Sequence, residues 1–198
     1  MGQSEFLARL IEALDAAGIR YMISGSLGSS AHGEPRATND VDLVIFTDRA
    51  GIESLITLLG DGWYVDRNAA LEALKRRSMF NVIDMISGWK ADLIIRKNRA
   101  YSIEEFGRRM KGEIDGVSVF VAAPEDIILS KLEWSAAAES ERQYRDALGV
   151  AVVQWQTLDK NYLRKWAPEL GVDEILERLL EDAAQLYQAD DGDGNSDQ

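Results

Sequence analysis

Residues 23–46 read ISGSLGSSAHGEPRATNDVDLVIF, a stretch in which two short apolar runs enclose small residues, a polar loop and a pair of acids. Tyr21 to Ser24 has the composition of a short β-strand, and it ends at Gly25-Ser26, before a segment of small, helix-tolerant residues. The order predicts a strand, a tight turn and a helix. Such a turn directs backbone N–H groups and the positive end of the helix dipole outward, which suits phosphate oxygens.

Two carboxylates, Asp40 and Asp42, open the second apolar run. Side chains alternate along a strand, so these two share one face and Val41 points to the other. Like charges on one face repel each other, and a hard cation bound between them removes that cost. Carboxylate oxygens suit Mg²⁺ or Mn²⁺. The stretch therefore predicts a metal site beside a phosphate-binding turn.

The order of these motifs resembles the nucleotidyltransferase superfamily built on the polymerase-β-like catalytic core. That family's pattern is an apolar residue, Gly, Gly or Ser, a spacer, then Asp, apolar, Asp or Glu, apolar. The matching positions are Ile23, Gly25, Ser26, Asp40, Val41, Asp42 and Leu43. The resemblance implies an α+β fold: a nucleotidyltransferase-like mixed β-sheet flanked by helices and followed by a C-terminal helical part.

Composition narrows the possible functions. At 198 residues and 46% apolar content the chain can bury a sizeable core, and no apolar run approaches the ~20 residues of a membrane span. We expect a cytoplasmic protein without membrane contact. With no cysteine and His32 as the single histidine, a thiolate zinc site and a multi-histidine site are excluded. The net charge of −12 argues against broad nucleic-acid binding, which needs Lys and Arg.

The β-type segments stop shortly before Pro124, and the segments after it have helical spacing. We therefore predict a catalytic domain over residues 1–122 and a helical subdomain over residues 123–188. Residues 189–198 carry four Asp among Gly, Asn and Ser, which predicts a disordered acidic tail. Trp155 and Trp166 lie at helical spacing and are assigned to the helical core.

A third carboxylate is harder to choose. Residues 79–86 and 91–95 form two β-type runs joined by a short turn, which predicts an antiparallel hairpin. Asp92 lies early in the second run and Asp84 late in the first, and the residues themselves leave both open. The resemblance favours Asp92, because the family places its third carboxylate at the start of a strand beside the Asp-x-Asp strand.

The resemblance implies transfer of a nucleoside monophosphate from an NTP such as ATP, with Mg²⁺ (or Mn²⁺) as cofactor and loss of pyrophosphate. Asp40 and Asp42 would ligate both metals, Asp92 would ligate one and take the acceptor's proton, and Gly25 and Ser26 would hold the triphosphate. Residue chemistry alone allows phosphoryl transfer as well.

Cations are expected around the nucleotide. Arg36, in the loop before the acids, is the first candidate. The segments APEDIILSKLEW and SERQYRDALG resemble the C-terminal part of small bacterial nucleotidyltransferases related to abortive-infection and toxin–antitoxin enzymes. That resemblance implies nucleotide contacts from Lys131 and Arg145.

The acceptor stays open between tRNA, a protein and a small molecule, and the toxin-like relatives imply an antitoxin partner. Two alternatives differ in class. One is a catalytically silent module that binds nucleotide or a partner. The other is a small-molecule nucleotidyl- or phosphotransferase of the antibiotic-modifying kind.

Overall fold

A computed structural model describes residues 2–33, 40–138 and 140–193. The chain forms two compact units. The first comprises Met1–Leu27 and Ala37–Ala122, and the second comprises Gly28–Arg36 and Ala123–Gln198. The chain leaves the first unit after Ala122. The division into a catalytic domain over residues 1–122 and a helical subdomain over residues 123–188 stays a prediction.

The first unit holds a seven-stranded sheet with the order β3-β4-β5-β2-β1-β7-β6. The strands are β1 (Arg20–Ile23), β2 (Asp40–Phe46), β3 (Trp63–Tyr64), β4 (Met79–Asp84), β5 (Lys90–Ile95), β6 (Met110–Ile114) and β7 (Val117–Val121). Strand β2 pairs with β5, and β1 with β7, in parallel, while the other neighbours are antiparallel. The predicted α+β class with a mixed sheet is confirmed, as is the β4–β5 hairpin.

Four helices belong wholly to the first unit, together with a short 3-10 helix over Gly60–Gly62. They are α1 (Gln3–Ala16), α3 (Arg49–Leu59), α4 (Arg67–Arg76) and α5 (Ala100–Gly107). Asp48 caps α3 by accepting a hydrogen bond from the Gly51 N–H at 2.9 Å, which satisfies one of the N–H groups left unpaired at a helix start. A further helix, α2 (Gly25–His32), begins in the first unit and passes into the second after Leu27.

The sheet buries one face in the main apolar core. Val41, Leu43 and Ile45 of β2 are fully buried, as are the alternate residues of β5, and α1, α3 and α4 contribute the facing side chains. Because side chains alternate, the residues between them, Asp40 and Asp42 among them, project from the opposite face. The alternating apolar residues of β2 therefore place Asp40 and Asp42 on the sheet face opposite the main core.

The second unit is helical where it is described. Its helices after Ala123 are α6 (Pro124–Ala138), α7 (Glu141–Val153), α8 (Lys160–Leu170) and α9 (Asp173–Asp193). They bury leucines, isoleucines and alanines at helical spacing, and Trp166 is buried with them. No helix in residues 2–33, 40–138 or 140–193 combines the length and the apolar character needed to cross a bilayer.

Two elements differ from the sequence prediction. Strand β6 was not predicted, because its residues are mostly exposed and lack alternating apolar side chains; it lies at an edge of the sheet and pairs only with β7. The disordered acidic tail was predicted from residue 189, and helix α9 extends to Asp193. Residues 194–198 of that tail lie outside the described residues.

Candidate active site

The turn after β1 lies directly against Asp42. The Ser24 N–H donates to the Asp42 carbonyl oxygen at 2.9 Å. Gly25, the first residue of α2, has a left-handed backbone with φ of 58°. A Cβ atom on Gly25 would overlap the Asp42 carboxylate. Glycine is therefore required at this position both by the backbone conformation and by the space, and the start of α2 is held beside a carboxylate.

Strand pairing brings Asp42 and Asp92 together. Strands β2 and β5 are parallel neighbours in which Asp42 is the register partner of Asp92, and Asp40 is the partner of Lys90. Partners in register project from the same face, so all four side chains share the face opposite the apolar core. The Asp92 side chain is 14% exposed and that of Asp40 is 54% exposed. Residues fifty positions apart in the chain thus form one polar surface.

Lys90 lies between two of the carboxylates. Its Nζ is 3.3 Å from Oδ1 of Asp92 and 3.5 Å from Oδ1 of Asp40. Burial lowers the pKa of Lys90, but its hydrogen bonds to the two carboxylates and their negative charges outweigh burial, and the net effect raises that pKa. A protonated ammonium therefore offsets part of the repulsion among these acids.

Asn81 orients the Asp92 carboxylate. It is the antiparallel register partner of Asp92 on β4, and its Nδ2 donates to Asp92 Oδ1 at 2.6 Å. Sequence reasoning missed both Lys90 and Asn81. Lys90 lies two residues before Asp92, so strand alternation would have revealed it. Asn81 depends on the register of the β4–β5 hairpin, and nothing in the sequence marked that register.

Asp84, the alternative third carboxylate, is held inside the fold by an ion pair and by hydrogen bonds. It is fully buried and contacts Arg9 of α1, whose Nη1 lies 3.2 Å from Oδ2. The Ser87 hydroxyl and the Ile86 N–H also donate to it. Burial raises the pKa of Asp84, but these hydrogen bonds and the Arg9 charge together bring it below the ordinary value. The structure thus places Asp92, and not Asp84, beside Asp42.

The donor set is chemically suited to a hard cation, since the Asp40, Asp42 and Asp92 side chains offer carboxylate oxygens on one face. In the arrangement that the structure shows, no three or more acidic or histidine side chains of the described ranges are grouped so that they could hold a metal. The ammonium of Lys90 stands against two of these three carboxylates. The residues therefore fit Mg²⁺ or Mn²⁺ by their chemistry, with Lys90 as an internal cation at the same oxygens.

Of the predicted nucleotide-binding cations, Lys131 and Arg145 belong to the second unit, and Arg36, in residues 34–39, is outside the described residues. Lys131, on α6 of the second unit, is buried, and its Nζ is 2.9 Å from Asp146 Oδ2 on α7. Arg145, also on α7, is exposed. Ser26 is the second residue of α2, next to Gly25.

No family model matches the chain, and no curated protein does either. Solved structures do resemble it. One is ANT(2'')-Ia in complex with adenylyl-2''-tobramycin, at 17% identity over 85% of this chain and 96% of that chain, with a TM-score of 0.58. Another is the lincosamide antibiotic adenylyltransferase LnuA, lincomycin-bound, at 11% identity over 77% and 98% of the two chains, with a TM-score of 0.53.

A third is an antigenic nucleotidyltransferase-like protein from Paracoccidioides brasiliensis, at 18% identity over 85% of this chain and 92% of that one, with a TM-score of 0.50. At these identities the likeness concerns the fold. It confirms the fold that the motif around Gly25, Asp40 and Asp42 predicted. This chain has the fold of the nucleotidyltransferases.

Proposed function

We propose that the chain is a metal-dependent nucleotidyltransferase that transfers a nucleoside monophosphate from an NTP to a hydroxyl group of an acceptor. The observation that carries the proposal is the register of Asp42 with Asp92 on parallel strands, directly beside the start of α2 at Gly25. An anion-binding helix start next to paired carboxylates is what a Mg²⁺-bound triphosphate requires.

Each residue has a proposed role. The backbone at Gly25 and the Ser26 side chain would hold the triphosphate, and the carboxylates of Asp40, Asp42 and Asp92 would hold Mg²⁺ or Mn²⁺. A bound divalent cation supplies charge neutralisation and aligns the attacking and leaving oxygens. Asn81 fixes the orientation of Asp92 through their hydrogen bond.

The proposed step is a displacement at the α-phosphorus. Asp92 takes the proton of the acceptor hydroxyl, and that oxygen forms the new bond to the α-phosphorus. The bond from the α-phosphorus to the oxygen that bridges the β-phosphate breaks, and pyrophosphate leaves. Phosphoryl transfer would instead release a nucleoside diphosphate, so labelling the α- or the γ-phosphate separates the two reactions.

The acceptor is best sought first among small molecules with hydroxyl groups. Two solved structures of this fold are described with an adenylylated antibiotic or as an antibiotic adenylyltransferase. The net charge of −12 also favours a small or basic acceptor over a long RNA. The alternative acceptor is a tRNA or a protein, together with an antitoxin-type partner. This alternative rests on the resemblance of the C-terminal segments to toxin–antitoxin enzymes.

The test uses NTPs labelled at the α-phosphate, with Mg²⁺ or Mn²⁺, against panels of hydroxyl-bearing antibiotics, tRNA and cell protein. We expect labelled product with the wild type and a loss of about a hundredfold or more in Asp42→Asn and Asp92→Asn, because these carboxylates position the reacting groups. Asp61→Asn, at an exposed position outside the site, is the charge-matched control. Equal labelling by the wild type and Asp42→Asn would overturn the proposal.

The predicted nucleotide contact of Arg145 has its own test. Arg145 and Arg142 are both exposed on α7, so Arg142→Gln is a matched control for Arg145→Gln. A contact with the nucleotide predicts weaker ATP binding in calorimetry for Arg145→Gln alone. Equal affinities in the two variants would remove Arg145 from the proposed site. Lys131 is a weaker candidate, because its ammonium is already paired with Asp146.

The position of Lys90 favours one alternative, a module that binds a nucleotide or a partner without turnover. Its ammonium contacts Asp40 and Asp92, the carboxylates that catalysis would require. Binding of Mg²⁺-ATP without product from any acceptor in the panels would support this alternative. Turnover that depends on Asp42 would exclude it.

A further inference from the structure

The sheet face that carries the carboxylates has a cluster of arginines at its other end. Arg20 is the register partner of Phe46, at the end of β2 opposite Asp40. Arg96 follows β5, and its N–H donates to the Ile45 carbonyl oxygen at 2.9 Å. The seven residues from Asp40 to Phe46 span about 20 Å, so the arginines lie well away from the paired carboxylates.

Two guanidiniums lie over one aromatic ring. The Cζ atoms of Arg20 and Arg96 lie 4.6 and 4.3 Å from the centroid of the Phe46 ring. The N–H groups of a guanidinium lie in one plane and form a fork that matches the oxygens of a phosphate. The Phe46 ring thus holds two phosphate-binding groups near each other.

Two more arginines adjoin this pair. Arg77 donates from Nη1 to the Arg96 carbonyl oxygen at 3.1 Å, and the Arg109 guanidinium lies over the rings of Phe106 and Phe120. Burial lowers the pKa of Arg96, and the charges of Arg77 and Arg20 lower it further. Burial and then the Arg20 charge lower the pKa of Arg109. The four cations therefore repel one another.

No carboxylate of the described residues forms an ion pair with these four arginines. The 34 acids of the chain outnumber its 22 bases, yet within the described ranges none of these four arginines forms an ion pair with Asp or Glu. The Nε atoms of Arg96 and Arg109 are also buried without an acceptor in that part of the chain. Unpaired buried donors in a group of like charges are costly, and a bound anion would relieve both costs.

There is room for a ligand beside the ring. Arg20, alone among the four arginines, lines a cavity of about 620 Å³ together with Phe46, and the N-cap Asp48 and Gly51 of α3 line it as well. We propose that the cluster of Arg20, Arg77, Arg96 and Arg109 is a second anion site, which binds the phosphate monoester group of a small molecule. A monoester fits better than a nucleic-acid backbone, because two of the four cations lie over a single ring and the chain is acidic overall.

The site is tested without metal or nucleotide, so its outcome does not depend on the proposed transferase activity. Inorganic phosphate and glycerol 3-phosphate are titrated in EDTA against the wild type and followed by ³¹P NMR. We expect both to bind, and their affinity to fall about fivefold or more in Arg20→Gln and in Arg96→Gln, since each removes a charge-assisted donor fork. Arg20 is exposed, so its variant keeps the test valid if Arg96→Gln folds poorly.

Arg67→Gln is the matched control, because it removes one exposed arginine that pairs with Glu53 on another part of the first unit. Affinity unchanged in both cluster variants, or lowered equally by Arg67→Gln, would overturn the site. A third probe, an oligouridylate without a terminal phosphate, tests the backbone alternative. If only this probe bound, and lost affinity in Arg20→Gln, the monoester assignment would be wrong.

Discussion

The ammonium of Lys90 lies 3.3 Å from the Asp92 carboxylate, whose strand partner is Asp42. Lys90 also reaches Asp40 on the neighbouring strand. It therefore provides positive charge at the oxygens that a divalent cation would need. We therefore expect the metal affinity to change when Lys90 is replaced and to stay the same when a lysine elsewhere is replaced.

Lys90→Gln is expected to strengthen Mn²⁺ binding in the absence of nucleotide. Removing a unit positive charge a few ångströms from two partly exposed carboxylates increases the attraction for a cation by about 1 kcal/mol, or roughly fivefold in affinity. The measurement is the free Mn²⁺ signal in electron paramagnetic resonance. Lys75→Gln, at an exposed lysine beside Glu72 on α4, is the control for net charge. Unchanged Mn²⁺ affinity in Lys90→Gln would show that this lysine does not compete for the carboxylates.

Gly25→Ala is expected to disrupt the site sterically as well as through the backbone. Gly25 and Gly88 both have positive φ, but a Cβ on Gly88 would meet nothing within 4 Å, whereas one on Gly25 would overlap Asp42. Gly88→Ala should cost only the backbone penalty of about 1 kcal/mol. Gly25→Ala should lower the free energy of unfolding at least twice as much and weaken Mg²⁺-ATP binding, as measured by urea denaturation and calorimetry. Equal destabilisation in the two variants would contradict the steric contact.

The lowered pKa of Asp84 predicts that the free energy of unfolding falls in acid. Its pKa is lower in the folded protein than the ordinary value of 3.8, so the folded state holds this proton less tightly than the unfolded state. The resulting stabilisation is present above about pH 4 and is lost as the pH falls through the folded pKa.

Asp84→Asn should therefore cost about 2 kcal/mol at pH 7, because the contacts of a buried carboxylate are weakened. The difference from the wild type should shrink below about pH 4. Urea denaturation at a series of pH values measures it, with the exposed Asp61→Asn as the control for loss of one acid. A difference that stays constant down to pH 3 would rule out this source of acid sensitivity.

The ion pair of Lys131 with Asp146 is expected to behave as a buried pair. The two side chains are 5% and 16% exposed. Removing one partner leaves the other charge buried, so Lys131→Met should lower the free energy of unfolding by about 3 kcal/mol. Adding Asp146→Leu should recover much of that loss. A double-mutant cycle in urea checks the coupling, and strictly additive losses would show that the pair is not energetically linked.

Much of this molecule was predictable from local patterns. The turn at Gly25-Ser26, the alternating apolar residues after Asp40 and the hairpin of β4 and β5 are all encoded within a few residues of where they form. Turn chemistry and the two-residue period of a strand act over such short distances. The motif order was also enough to identify the fold, which the solved structures confirmed.

The local sequence could not show whether Asp84 or Asp92 is the third carboxylate of the site, because both lie in apolar β-type runs. The pairing of β2 with β5 decided it, since register between strands about fifty residues apart depends on how the whole sheet packs. That pairing also placed Lys90 beside Asp40, while the β4–β5 register placed Asn81 beside Asp92, and the pairing of β1 with β2 placed Arg20 beside Phe46. The sequence by itself determined the strands other than β6, the turn and the acids that face away from the core. Only the tertiary structure decided which charges meet, because strand register and the packing of side chains from distant segments are set by the folded sheet.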